Sequence, residues 1–212
     1  WQLVVFLSSS IFLILTFSNQ AWQQIGFDQT KISGLSGLTR KDIQETTKKF
    51  YPRNLLELNP KEIESYLIKV LPIKEVSVNR KFFPPEIHLQ IIEREPIAFA
   101  SRFISNKFQE GMIDIEGNWI PIQFVNELKK NKIKLSIENW NQNKKNDILL
   151  IIKNRSVLQS SLQRIKITPS QEIIIKTEDF NSVLLGSNID RLIEQINTLN
   201  QLQKSLPNLL IN

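Results

Sequence analysis

Polar and apolar positions along this chain switch between two periods. Between residues 28 and 96 they run first at strand spacing, then twice at helix spacing, then again at strand spacing. A short strand fits Gln29–Ser33, stopped by Gly34 and Gly37. Thr39 reads as a helix N-cap with Asp42 three residues on, and Ile43, Thr47 and Phe50 recur at helical spacing until Pro52. Asn59, Pro60 and Glu62 open a second helix, whose apolar stripe is Ile63, Tyr66, Leu67, Val70 and Leu71, closed by Pro72. Val76 and Val78 then alternate with Ser77 and Asn79. Pro84-Pro85 makes a turn, and Ile87, Leu89 and Ile91 alternate with His88 and Gln90. The order is β-α-α-β-β, which lets two amphipathic helices cover one face of a three-stranded sheet.

Residues 97–212 read as a second, mixed and β-rich domain. Met112 to Pro121 forms a hairpin turning at Gly117. Arg164–Ile167 and Ile173–Lys176 are strands separated by Thr168-Pro169-Ser170, and Val183 to Gly186 is a further strand and turn. Ile148 to Leu162 fits a helix or a strand equally. Asn188 caps a long helix with the stripe Leu192, Ile193, Ile196, Leu199, Leu202 and Leu206, ended by Pro207. Leu209, Leu210 and Ile211 then begin a strand.

The first 27 residues carry no charge. A helix from Trp1 to Trp22 would be about 33 Å long, close to the roughly 30 Å hydrocarbon core of a bilayer. Residues 1–24 are therefore expected to be a transmembrane helix, with Trp1 and Trp22 at the interfaces. A cleaved signal peptide is the rival, but Asn19-Gln20-Ala21 puts a bulky Asn where a small residue is needed.

Composition narrows the chemistry. With no cysteine there is no disulfide, iron–sulfur cluster or Cys-ligated zinc. The net charge of +6 is spread mildly, except for Lys129, Lys130, Lys132, Lys134, Lys144 and Lys145 with only Glu138 among them. That run attracts anionic lipid or polymer, or is simply a solvated loop. His88 is the sole histidine and has no second histidine or cysteine for a triad or a metal. Asp114 and Glu116 share a strand face and could do acid–base work, yet they sit beside a glycine turn where solvated carboxylates are common. Aromatic and basic residues do not interleave as in a nucleic-acid platform. No catalytic residue, cofactor or metal is expected, no nucleic acid or small-molecule substrate, and no enzymatic activity.

Four segments together carry a resemblance: Asn54 to Asn59; Leu71-Pro72 followed by Val76-Ser77-Val78-Asn79-Arg80; Phe83-Pro84-Pro85-Glu86; and Glu93-Arg94-Glu95-Pro96-Ile97-Ala98. They resemble the POTRA domain of FtsQ/DivIB cell-division proteins, including a cyanobacterial version. The Glu-Arg-x-Pro-x-Ala ending is the most specific part. Ile113 to Gly117 and Val183 to Gly186 are similar to features of that family's second domain, whose helices favour a helix at Ile148 to Leu162. The family's Leu-Pro-x-Leu-x-Gly segment is not visible, and Lys129 to Lys145 occupies its place. The resemblance implies an α+β chain: an N-terminal transmembrane helix (1–24), a β-α-α-β-β POTRA domain (28–96) and an FtsQ-type mixed β-rich domain with a long C-terminal helix (97–212). It implies a single-pass inner-membrane protein at the septum, N-terminus cytoplasmic and residues 28–212 extracytoplasmic, in contact with membrane lipid. It further implies a scaffold that recruits and regulates septal peptidoglycan synthesis with FtsB/DivIC-like and FtsL-like partners. Their contacts would fall by position on Leu192, Ile196, Leu199, Leu209, Leu210 and Ile211. The alternative is a POTRA-bearing assembly or transport factor for outer-membrane proteins.

Overall fold

The computed structural model describes residues 1–21, 24–158, 160–186 and 191–205, and the chain divides into two compact units, Trp1–Arg94 and Glu95–Asn212. The first unit opens with helix α1 (Gln2–Ala21). Among the described residues no helix is long and apolar enough to cross a membrane, so the transmembrane helix expected over residues 1–24 does not hold. The 33 Å length took in polar positions at both ends. The apolar run itself, Leu3 to Phe17, is about 22 Å at 1.5 Å per residue, short of the roughly 30 Å hydrocarbon layer. That run is also broken by Ser8 and Ser9, whose hydroxyls donate back to the carbonyls of Val5 and Phe6 at 3.0 and 2.9 Å.

The remainder of this unit follows the β-α-α-β-β order. A small ladder pairs β1 (Gln24–Ile25) with a later strand, and β2 (Thr30–Ser33) leads into α2 (Arg40–Thr47). Thr39 and Asp42 form the expected capping box: the Thr39 hydroxyl accepts from the Asp42 amide, and the Asp42 carboxylate accepts from the Thr39 amide at 2.7 Å. After β3 (Arg53–Asn54), the partner of β1, comes α3 (Pro60–Val70), with Asn59 accepting from the Lys61 amide at 3.1 Å. The chain then forms β4 (Ile73–Phe82) and β5 (Pro85–Glu93). The sheet order is β2-β5-β4, with β5 central, parallel to β2 and antiparallel to β4. Ile43, Phe50, Ile63, Leu67, Val78, Ile87, Leu89 and Ile91 are all buried. Of the second stripe, Val70 is exposed, because it lies in the last turn.

Two residues of the quoted motifs tie loops to this sheet. Glu93, at the end of β5, accepts from the amides of Ser36, Gly37 and Leu38 at 2.7, 2.8 and 3.0 Å, and from the Ser36 hydroxyl at 2.9 Å. The Arg80 guanidinium donates to the carbonyls of Leu55, Leu56 and Leu58 at 3.1 to 3.4 Å, closing the turn before α3.

The second unit holds β6 (Pro96–Ile104), β7 (Lys107–Asp114), β8 (Trp119–Pro121), α4 (Glu127–Lys130), β9 (Ser136–Glu138), α5 (Lys145–Lys153), β10 (Leu162–Ile167), β11 (Ile173–Thr177), β12 (Val183–Gly186) and α6 (Leu192–Ser205). Seven strands form one sheet in the order β12-β11-β10-β9-β6-β7-β8. Strand β9 is the hinge of this topology. It runs parallel to both neighbours, β6 and β10, and joins two otherwise antiparallel sets. The lysine-rich stretch is therefore more than a solvated loop, since Leu135 and Ile137 turn inward from it. The ambiguous segment after Ile148 is divided: α5 ends at Lys153 and Leu162 opens β10. Ile137, Ile148, Ile151, Ile165, Ile175 and Ile196 share one core. Asn188, Leu206 and Pro207 lie outside the described residues.

Candidate docking site

With little in the sequence that points to chemistry, sheet edges and exposed faces are the places to examine. The POTRA-like sheet has β2 and β4 at its edges. On β4, the Val78 amide donates to the Glu64 carboxylate of α3 at 2.8 Å, so a side chain already takes that edge donor. Beside β2, the Arg40 guanidinium donates to the carbonyls of Thr30 and Phe27 at 2.9 and 3.3 Å and lies over the Phe27 ring. Side chains thus reach both margins of this sheet, a common defence against unwanted strand pairing. Glu64→Ala is expected to lower stability by about 1 kcal/mol, since it strips a charged acceptor from a backbone donor that water can partly reach. A thermal melt checks this, and faster hydrogen exchange at the Val78 amide is expected with it.

On the sheet face away from the helices, Glu86 meets His88 Nε2 at 3.0 Å, Lys31 at 3.0 Å and Lys81 at 3.9 Å. Hydrogen bonds from His88 and then Lys31 hold the Glu86 carboxyl down at about 2. A depressed folded value means this pairing contributes stability above the ordinary carboxylate range and loses it as pH falls toward 2. An NMR titration should place the Glu86 carboxyl midpoint near 2, and in His88→Ala the midpoint should rise toward 4.5. His88 is therefore a partner of Glu86 on an exposed face.

In the second unit β12 and β8 are the outermost strands of the sheet. Leu185 of β12 is buried and Leu184 is 57% exposed. Of the six residues expected to contact partners, only Ile196 and Leu199 have described side chains. Ile196 and Leu199 lie in the domain core, at 1% and 8% exposure. An amphipathic stripe turns to its own core first. Leu202, at the end of the same stripe, is exposed. The side chain of Leu192 and all of Leu209, Leu210 and Ile211 lie outside the described residues.

Asp114 belongs to a turn. Its buried carboxylate accepts from the amides of Glu116 and Asn118 at 2.9 and 2.7 Å and from the Asn118 side chain at 3.0 Å, while Gly117 takes φ 72°. No group of three or more His, Asp or Glu that could hold a metal occurs among the described residues. Two features escaped sequence reasoning. The β6–β7 hairpin turns at Ser105 and Asn106, with φ of 50° and 60°, and exposes Phe103, Ile104 and Phe108. The Ser-Asn pair before Lys107 was the available signal. The second is a stack in which the Arg102 guanidinium lies 3.9 Å from the Trp119 ring centre, with Trp140 5.8 Å from Trp119. Burial lowers the Arg102 pKa from its ordinary value.

Residues 27–94, which contain the three-stranded sheet and both capped helices, match the family model described as POTRA domain, FtsQ-type. Over residues 27–94 the chain resembles FtsQ/DivIB-like proteins. An FtsQ-type POTRA domain is a protein-interaction module and points to a role in cell division. The match carries no indication of a cyanobacterial source. No curated protein matches the chain.

Proposed function

We propose that this FtsQ/DivIB-like chain is a non-catalytic scaffold of the division machinery. It docks FtsB/DivIC-like and FtsL-like partners through strand and helix contacts, and so recruits and regulates septal peptidoglycan synthesis. The observation that supports this reading best is the outer margin of the second unit. Strand β12 ends the seven-stranded sheet as described, anchored inward by Leu185, with Leu184 facing out and α6 following it. An extended partner segment added to such a margin gains main-chain hydrogen bonds, and an outward leucine gives it a side-chain contact. The POTRA margins are less open to this because Glu64 and Arg40 reach them. The absence of chemistry is supported by the commitments of Asp114 to its turn and of Glu86 to His88.

A pull-down with the extracytoplasmic-type partners tests the reading. Wild-type chain is expected to retain both the FtsB/DivIC-like and FtsL-like proteins. Leu184→Asp combined with Leu202→Asp should weaken retention at least about tenfold, the loss expected when central apolar contacts are replaced by charge. Wild-type chain that retains neither partner would contradict the proposal.

A further inference from the structure

Lys132 and Lys134 stand out within the lysine-rich stretch. Three of their neighbours are matched to acids, Lys129 to Glu95 at 2.8 Å, Lys130 to Glu127 at 2.6 Å and Lys144 to Asp147 at 2.8 Å, and Lys145 donates to the Asn118 side chain at 3.4 Å. Lys132 and Lys134 make no ion pair or side-chain hydrogen bond among the described residues, and neither does Arg155. All three line one cleft of about 570 Å³ in the second unit. Ser161 and the buried Leu135 and Leu158 also line it. No carboxylate lines it among the described residues.

Three cations lining one concavity, with no acid among its described lining, give it a positive potential. An acidic neighbour would relieve this, and elsewhere on the same stretch one does. The cleft therefore favours an anion, and a guanidinium beside two ammonium groups suits a phosphate. The apolar part of the lining, Leu135 and Leu158, suits a hydrocarbon body joined to that phosphate. The volume lies within the roughly 300–1,000 Å³ usual for ligand sites. We propose that this cleft binds a phosphate-bearing amphiphile. Lys132, Lys134 and Arg155 hold the phosphate, Ser161 donates its hydroxyl, and Leu135 and Leu158 receive the apolar part. The same chemistry is offered by a phospholipid headgroup in a bilayer and by a soluble phosphate ester with a short apolar chain.

The test uses the full chain at low salt, with dihexanoyl phosphatidic acid below micelle formation, and with vesicles of phosphatidylglycerol in phosphatidylcholine or of phosphatidylcholine alone. Binding of the short lipid is expected to shift amide signals of residues 132–135 and 155–162. Its affinity should fall at least tenfold in Lys132→Gln/Lys134→Gln/Arg155→Gln. A control with the same charge loss, Lys61→Gln/Lys69→Gln/Lys107→Gln, should stay within twofold. Melting curves establish that both triples fold, and Lys132→Gln/Lys134→Gln, expected to show an intermediate loss, serves should the first not fold. Co-sedimentation with phosphatidylglycerol vesicles that depends on the cleft triple assigns the ligand to a bilayer, whereas short-lipid binding without co-sedimentation assigns it to a soluble ester. Both outcomes support the site. It is overturned by absence of short-lipid binding, by an equal loss in the control triple, or by a poly-glutamate peptide that displaces the lipid at equal concentration.

Discussion

Gly111→Ala is expected to lower the melting temperature of the second unit by about 10 °C, corresponding to about 3 kcal/mol of overpacking for a unit of this size. Gly111 lies in β7 opposite Pro121 of β8. A Cβ there would sit 2.4 Å from the Trp119 ring on one side and 2.7 Å from the Ile120 carbonyl oxygen on the other. The ring cannot move away without leaving Arg102 and Trp140, with which it stacks. The carbonyl belongs to the β7–β8 ladder and cannot move without disrupting it. Tryptophan fluorescence during the melt should show the loss first at this stack. Adding Trp119→Leu should recover part of the stability, and the shortfall measures the backbone clash.

Glu93→Ala is expected to cost the POTRA domain about 3 kcal/mol. One carboxylate there satisfies three backbone amides and a hydroxyl between β2 and α2. Charge-assisted bonds of this kind contribute roughly 1.5–3 kcal/mol each. They share one acceptor group and water replaces some of them, so the set is worth less than the sum. A fall in melting temperature of at least about 10 °C follows for a domain of this size. Glu93→Gln keeps one acceptor oxygen and should lose about half as much. The loss should appear first as rapid hydrogen exchange at Gly37 and Leu38. This gives the Glu-Arg-x-Pro-x-Ala ending a physical reason: its glutamate fastens the far end of the domain.

Most of the POTRA domain could be read directly from the sequence because its determinants are local. Thr39 with Asp42 and Asn59 with Pro60 sit where the helices begin, and the stripes they precede contribute Ile43, Ile63 and Leu67 to the core. The second unit was less legible because its topology is not local. Strand β9 has three residues, lies inside a run of lysines, and finds its partners near Phe99 and Arg164, far away on either side in the chain. Only the alternation of Leu135 and Ile137 hinted at it. The apolar start of the chain misled differently, because length was counted between tryptophans while the apolar run between them is shorter. For α6 the expected stripe contributes Ile196 and Leu199 to the core, but a stripe does not say which residues a partner could reach. Burial of Ile196 and Leu199 moves attention to Leu202 and to Leu184 on β12. The unmatched cations at Lys132, Lys134 and Arg155 could not be read from spacing, since 20 residues lie between Lys134 and Arg155 and only the fold brings them to one cleft.

On the proposed function, these two modules serve division by docking other chains. The position of a fluorescent fusion of the whole protein in dividing cells tests it most directly. A band at midcell that appears before constriction is the predicted result, and an even distribution through cells that divide normally would contradict the account.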